Sequence, residues 1–419
     1  MSLAGSQQKV FLRLLAELRP HWRRDQNFPS RVSALFAANR SFGSRDRKLY
    51  RELIFTTLRF LPWIEPLLDT DPARATQAVA WLAADLPATR AFRAAHCGDW
   101  PASPPSVAGK AAQLGADATV LLPAWFTRHC PAAAQPPNLD ALHTRASLWL
   151  RLSTRDADRV TAEFTSLGWA TRRSEILSGA LEVLAEADVT KTAAWRDGLV
   201  EVQDLGSQLI LGQAGLAPGG RWLDACAGAG GKTLQLAALL GPSGHVDAYD
   251  IRPEALRELA IRAARAGLAV CHLLNDKHPH APGTPGSGCH LIDDKSPAQI
   301  AVLATAPTAT YDGVLVDAPC TGSGTWRRAP HLKWTTSAAD VAKAAERQAA
   351  LLADLSARVR PGGGRLIYAT CSLSHMENED VVAAFLATHV DFTADGPART
   401  ILPAAHNTDG FFVAALRRK

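Results

Sequence analysis

Two cysteines stand where strand patterns end. One is Cys320 in GVLVDAPCTGSG and the other is Cys371 in RLIYATCSLS. In an open α/β sheet, ligands bind beyond the carboxyl ends of the strands, so both thiols fall where a substrate would sit. As thiolates they are nucleophiles. One chemistry that needs them there is substitution at carbon 5 of a pyrimidine. C5 of cytosine is a poor nucleophile. Thiolate addition to C6 turns the ring into an enamine, C5 attacks an electrophile, a base removes the C5 proton, and the thiol is eliminated. One cysteine suffices for attack, and a second can assist proton removal and release. Asp317, three residues before Cys320, is placed to hydrogen-bond the pyrimidine edge near N3. On residues alone, that nearness favours Cys320 as the attacking thiol.

The electrophile would come from the turn in WLDACAGAGGKT, residues 222–233. A strand ends at Asp224, a glycine-rich turn follows and a helix begins. Glycines let backbone approach a ligand, and a helix N-terminus favours electron-rich groups. Three nucleotide readings compete with a purely structural turn. A phosphate loop ends in Gly-Lys-[Ser/Thr], as here, but its first glycine would be at 226, where Cys226 stands. A dinucleotide fingerprint takes Gly228 and Gly230 but meets Thr233 at its third glycine. The remaining reading is a turn for S-adenosylmethionine, with the backbone at Gly228, Gly230 and Gly231 close to the ligand. It requires an acid at the end of the next strand for the ribose hydroxyls. HVDAYD supplies Asp250, 26 residues after Asp224. Asp276, closing HLLND, is a candidate acceptor for the adenine amino group, with a turn cap as its other reading.

These motifs need strands and helices to carry them. From 205 onward the chain alternates strand and helix. Strands are expected at Arg221–Ala225, Gly244–Asp250, Val270–Leu274, Tyr311–Val316 and Gly364–Thr370. Helices are expected at Lys232–Leu240, Pro253–Ala266, near 297–305 and at Ala338–Val359. GFFVAALRR adds a terminal strand. This alternation predicts a doubly wound, mostly parallel α/β sheet of Rossmann type. Before it, SLWLRLST and DADRVTAEFTSLGW read as strand and helix of a small α/β subdomain over 146–200. The linker to the last domain, 201–419, is placed near 195–205. Residues 1–145 read as all-helical. Val10, Phe11, Leu14, Leu15 and Leu18 form one stripe. Leu49, Leu53, Ile54, Leu58 and Leu61 form another, behind an N-cap at Ser44. Trp81, Leu82, Leu121, Leu122 and Trp125 are expected to complete that core.

The 419 residues are 47% hydrophobic and 20% charged, which excludes a disordered chain. The net charge of +5 is unevenly spread. Residues 1–150 hold 18 Lys/Arg against 11 Asp/Glu, a balance of +7, and the rest holds −2. The basic face of Arg47, Lys48 and Arg51 is therefore a candidate RNA contact, with a solvated helix face as its alternative. Arg327, Arg328 and Lys333, after Cys320, are candidate phosphate contacts beside the target base. The seven cysteines are odd in number and include no CxxC pair, so neither a disulfide framework nor a zinc ribbon is suggested, and no metal is expected. Cys97, Cys130, Cys271 and Cys289 read as small core hydrophobes. Reduced thiols, no long apolar run and no signal-peptide pattern point to a cytoplasmic protein with no membrane partner.

VQDLGSQ, LDACAGAGGKT, Asp250, LLND, DAPCTGSGTWRRAPHLKW, ATCS and DGFFVAAL occur in the order seen in the RsmB/Sun-domain family of RNA cytosine-5 methyltransferases, and the chain resembles that family from about 200 to 419. The resemblance implies S-adenosylmethionine at Cys226–Lys232, completed by Asp250, Asp276 and Asp317. It also implies Cys371 as nucleophile and Cys320 as the thiol aiding release, the reverse of the residue-only order. One departure is Ala229, where the family turn carries proline. The helical region is similar to the NusB-like domain of the bacterial ribosomal members, best over GSRDRKLYRELIFTTLR. The 146–200 element resembles the RNA-recognition-like subdomain of these enzymes. The expectation is a monomer acting on ribosomal RNA of the small subunit. Transfer RNA, a methyltransferase acting on another target and a non-catalytic RNA-binding assembly factor are the alternatives.

Overall fold

The computed structural model describes residues 2–154, 156–273, 289–291, 300–303 and 307–419. Asp276 and most of the Gly/Pro-rich stretch 277–290 lie outside the described residues. The chain divides into two compact units. One holds Met1–Ala146, Thr321–Asp340 and Leu402–Asn407; the other holds Ser147–Cys320, Val341–Ile401 and Thr408–Lys419.

The first unit is helical. Its helices are α1 (Leu3–Leu18), α2 (Phe28–Ala38), α3 (Ser44–Arg59), α4 (Leu61–Thr70), α5 (Pro72–Leu82), α6 (Arg90–Cys97), α7 (Val107–Leu114), α8 (Ala124–His129) and α9 (Asn138–Leu142). The stripes Phe11, Leu14, Leu15, Leu18 and Leu49, Leu53, Ile54, Leu58, Leu61 are buried together with Trp81, Leu82 and Leu121. Helix α3 starts one residue earlier than expected: Gly43 is the cap, and its N–H donates to Asp46 Oδ2 at 3.1 Å. The segment after Cys320 seals this unit. Trp326 packs on Phe126 with ring centroids 4.4 Å apart. Trp334 Nε1 donates to Leu58 O at 2.6 Å, and Trp125 Nε1 to Thr336 O at 3.1 Å.

The second unit contains two sheets. The small one is antiparallel and uses β1 (Leu148–Leu152), β2 (Thr171–Arg173), β3 (Ala180–Val183) and β4 (Val200–Val202), in the order β2-β3-β1-β4. Helix α10 (Ala157–Ser166) covers one face through Val160 and Phe164, against Leu150, Leu181 and Val200. The other face buries Trp149 against Leu205 and Leu209. Residues 195–205, expected as a linker, instead carry part of α11 (Ala193–Arg196), strand β4 and the start of α12 (Leu205–Gly212). Gln203 Nε2 reaches Gln235 Oε1 at 3.0 Å, so the stretch is packed, not slack.

The large sheet runs β12-β14-β11-β10-β5-β6-β9-β7-β8. Its strands are β5 (Gly220–Asp224), β6 (Gly244–Ala248), β7 (Val270–Leu273), β8 (Cys289–Leu291), β9 (Ile300–Leu303), β10 (Gly313–Asp317), β11 (Arg365–Thr370), β12 (Phe392–Ala394), β13 (Arg399–Ile401) and β14 (Phe411–Arg418). The centre, from β11 to β7, is parallel, and β14 pairs antiparallel to β11. Helices α13 (Gly231–Leu240), α14 (Pro253–Arg265), α16 (Ala338–Ser356) and α17 (Glu379–Thr388) connect strands; α15 (Leu332–Thr335) belongs to the helical unit. The helix expected near 297–305 is corrected: Ile300–Leu303 is strand β9, all four residues buried between β6 and β7. A run of four apolar residues has no period that separates strand from buried helix. The terminal strand is not the edge, because β12 pairs outside it. The chain winds one way from β5 to β6 and returns to place β10 on the other side of β5. The carboxyl ends of β5 and β10 therefore flank a topological switch point, where an open sheet leaves a crevice.

Candidate active site at the tips of β5, β10 and β11

The glycine turn leaves β5 after Asp224. Gly228 and Gly230 take φ of 53° and 88°, which side-chain-bearing residues rarely adopt. A Cβ on Gly230 would also lie 2.7 Å from Leu259 Cγ. The turn is closed by Gly230 N–H on Ala227 O and by Ala227 N–H on Tyr249 O, each 2.9 Å. Thr233 Oγ1 donates to Asp224 Oδ2 at 2.8 Å. Burial dominates at Asp224 and pushes its carboxyl up to about 7, against the Thr233 hydrogen bond. Burial likewise drives the Cys226 thiol far up, helped by Asp224, Asp317 and Asp250, so Cys226 stays protonated and unreactive.

Asp250 follows β6 and turns back on the loop. Its Oδ2 accepts the Gly228 N–H at 2.9 Å; its Oδ1 accepts Arg252 N and Nε at the same distance. Burial opposes its charge, but these bonds outweigh burial and hold the carboxyl below its usual range. Arg252 Nη2 takes a further position on Oδ2 at 3.1 Å from a largely exposed side chain, so a ligand hydroxyl can replace it. Around Gly231, at the start of α13, a Cβ would meet nothing within 4 Å. A glycine turn opening onto a helix N-terminus, beside a strand-end carboxylate, fits the ribose end of a nucleoside donor.

The Lys232 ammonium is committed to Asp317 Oδ2 at 2.7 Å, joining the turn to the tip of β10. Parallel pairing sets Asp317 opposite Ala369 of β11, so Cys320 and Cys371 leave the sheet at the same end. The two sulfurs are 3.3 Å apart, well beyond the roughly 2.05 Å of a disulfide. Both are half-buried.

The basic candidates divide. Arg327 and Lys333 are each 2% exposed, and the expectation that they meet phosphates is corrected. Arg327 Nη2 donates to Asn407 Oδ1 at 2.7 Å and Arg145 O at 3.1 Å. Lys333 Nζ donates to Arg59 O and to His143 Nε2, both at 2.9 Å. These bonds lie inside the helical unit, where the tryptophans of the same segment are buried; a sequence pattern shows the charge but not this burial. Arg47 spends its Nε on Phe42 O, and Arg51 lies over the Phe36 ring. Lys48 and Arg328 are exposed.

One support of the turn escaped sequence reasoning. Arg262 on α14 donates through Nη1 to Ala229 O at 2.7 Å, and through Nη2 to buried Glu201 of β4 at 2.9 Å. It ties the donor turn to the small sheet. Its only sequence trace is a cation on the inner side of an amphipathic helix.

A family model described as 16S rRNA methyltransferase RsmB/F matches residues 215–417. The chain is 30% identical over 313 residues to the ribosomal RNA small subunit methyltransferase B of Serratia proteamaculans, covering 72% of this chain and 67% of that protein. It is 28% identical to the probable ribosomal RNA small subunit methyltransferase B of Bacillus subtilis, over 64% of this chain and 59% of that one. With the putative methyltransferase Rv1407 of Mycobacterium tuberculosis it shares 37% identity over 56% of this chain and 50% of that one. The matches thus span about half to two thirds of these relatives' lengths. Among solved structures, PH0851 superposes with a TM-score of 0.67 at 19% identity, over 91% of this chain and 93% of that one. NSun6 from Pyrococcus horikoshii with SFG gives 0.54 at 18% identity, over 66% and 92%. The likeness to these two is one of fold. With the glycine turn and both thiols inside the matched span, the chain belongs to the RsmB/F methyltransferase family.

Proposed function

We propose that this chain transfers a methyl group from S-adenosylmethionine to C5 of a cytidine in small-subunit ribosomal RNA, through a covalent cysteine–C6 adduct, in the cytoplasm, where thiols stay reduced. The observation that carries the reading is the pair of thiols 3.3 Å apart, not joined in a disulfide, beside Asp317 at the switch-point end of the sheet. Family membership supports the donor and the RNA substrate.

When bound, the donor supplies an electrophilic methyl on a sulfonium. Asp250 and the Cys226–Gly231 turn would hold its nucleoside. Cys371 adds its thiolate to C6, and the displaced π electrons make C5 nucleophilic. Asp317, kept in place by Lys232, hydrogen-bonds the base near N3 and favours the adduct. After C5 takes the methyl group, Cys320 assists removal of the C5 proton. The C6–sulfur bond then breaks, returning its electrons to the Cys371 thiolate and restoring the ring. Two acceptable thiols at one base explain why neither needs the third, protonated Cys226. The cytidine must leave its stack to reach them, which costs less in a loop than in a duplex. The exposed Lys48 and Arg328, with Arg47 and Arg51, remain candidates for phosphate contact.

Labelled methyl transfer to total RNA followed by nucleoside analysis tests this reading. It predicts 5-methylcytidine as the product; any other methylated nucleoside contradicts it. Bisulfite sequencing in a strain lacking the gene then separates ribosomal from transfer RNA.

A further inference from the structure

The two thiols sit on separate loops, so something must set the distance between them. Backbone pairing ends just before them: Ala318 N–H reaches Ala369 O at 2.8 Å, and Thr370 is the last residue of β11. Beyond that point a side-chain bridge takes over. Gln348, on α16, donates through Nε2 to Pro319 O and to Glu377 Oε1, both at 3.0 Å. Glu377 Oε2 accepts from Ser372 Oγ at 2.5 Å. Pro319 immediately precedes Cys320, and Ser372 immediately follows Cys371. The bridge therefore runs from the neighbour of one thiol to the neighbour of the other through two side chains.

Each member is fixed in turn. Gln348, Ser372 and Glu377 are fully buried. Tyr368 OH donates to Glu377 O at 2.6 Å, and burial raises its phenol so that it remains a donor. Asn378 Nδ2 donates to Ser372 O at 3.0 Å, and Thr370 Oγ1 to Asn378 Oδ1 at 2.6 Å. Gln348 Oε1 is left without a partner, but both N–H groups of that amide are engaged, and buried hydrogen bonds are costly to lose, so the bridge holds its geometry closely.

We propose that Gln348 and Glu377 are positioning residues that hold the Cys320 and Cys371 loops in register, so that both thiols reach one base. The inference rests on the reading that both thiols work in one reaction, but the register itself can be measured without RNA. Diamide oxidises two adjacent thiols to a disulfide: each sulfur gives up a hydrogen, and the diazene is reduced to the hydrazine. The native chain closes Cys320–Cys371 readily, as peptide mapping would show. Gln348→Leu loses both donors at similar volume and slows closure about tenfold or more, on the scale of effect that a 1 Å misplacement has on reacting groups. Ser372→Ala is the milder variant should Gln348→Leu fold poorly; it slows closure less. Leu416→Ala, a core truncation in the same sheet away from the strand ends that carry the thiols, lowers Tm without slowing closure, which separates register from general loosening. In RNA assays Gln348→Leu lowers kcat more than it raises KM and enriches the covalent protein–RNA species, because attack survives and release falls out of step. Equal closure rates in the native chain, Gln348→Leu and Ser372→Ala would overturn the inference. Normal register effects without any 5-methylcytidine would overturn the function instead and leave the bridge standing.

Discussion

At the tips of β5, β10 and β11 acids and thiols gather around one ammonium, Lys232, and several keep an open side: Asp317 retains 30% of its side-chain exposure and both thiols are half-buried. In the helical unit cations predominate among the buried groups, Arg59, Arg327 and Lys333 with His143 and the acid Glu52 near Arg59, and they are sealed. Their N–H groups end largely on backbone carbonyls: Lys333 on Arg59 O, Arg59 on Arg327 O, and Arg327 on Arg145 O. A carbonyl completes a hydrogen bond without returning charge, so burial is the leading cause that drives Lys333 and His143 well below their usual ranges. The contrast teaches that a polar residue near a motif is chemical when topology leaves it open at a strand end. It is structural when the chain beyond the motif is packed away.

The largest expected separation follows from exchanging one group in each region. Asp317→Asn should cut turnover about a hundredfold or more, as loss of a group placed on developing charge does, while its amide oxygen still accepts from Lys232 and limits the loss of stability. Lys333→Ala should cost about 2–4 kcal/mol of stability, because Arg59 O and His143 Nε2 lose their buried donor. It should leave the salt slope of RNA binding unchanged, whereas Lys48→Ala should lower that slope by about one. Denaturant unfolding and a salt titration read both. A Lys333 variant that folds normally but binds RNA with a lower slope would break the comparison.

Donor binding comes next. Asp250→Ala should weaken S-adenosylhomocysteine binding by about ten- to a hundredfold, the loss of hydrogen bonds to a charged acceptor. Arg252→Ala should change it little, since its guanidinium occupies positions the ribose would take. Calorimetry on both variants checks this; unchanged affinity in Asp250→Ala would remove Asp250 from the site.

The smallest effect is in pH, and its sign differs between the regions. Asp224 has a folded value near 7 against 3.8 unfolded, so its contribution to stability is complete below about 4 and is lost as pH rises towards 7. His143 is held neutral in the fold against 6.5 unfolded, so its contribution is present above about 6.5 and is lost as pH falls. Relative to the native chain, Asp224→Asn should therefore gain stability with rising pH between 4 and 7. The deficit of His143→Gln should shrink as pH drops below 6.5. Thermal unfolding across that range measures both slopes.

Much of the large sheet could be read from sequence because each strand there ends in a turn whose residues have local reasons to be there. Asp224 before the glycines, Asp250 before Arg252-Pro253, and Cys320 and Cys371 after apolar runs are all local signals. Two parallel neighbours then bring the thiols together, and adjacency in the chain order of motifs anticipates it. What failed was non-local. Ile300–Leu303 is too short to show a period, and only its place between β6 and β7 makes it a strand. Arg327 and Lys333 looked like phosphate contacts because their burial depends on the ends of α3 and α9, more than a hundred residues away in the chain. Gln348, Glu377 and Arg262 carry no motif at all. Gln348 and Arg262 donate to a backbone carbonyl and a carboxylate, and Glu377 accepts from Gln348 and Ser372, partners that the folded chain brings near.

The central claim is that two thiols 3.3 Å apart perform successive steps on one base. Denaturing gels of Cys371→Ala and Cys320→Ala, each incubated with S-adenosylmethionine and substrate RNA, test it most directly. Cys371→Ala should yield neither 5-methylcytidine nor a covalent complex, because no bond to C6 can form. Cys320→Ala should accumulate a protein–RNA species stable to denaturation, because the methylated adduct forms and is not released. Accumulation in Cys371→Ala with no product in Cys320→Ala would reverse the roles, and full activity in both would contradict the account.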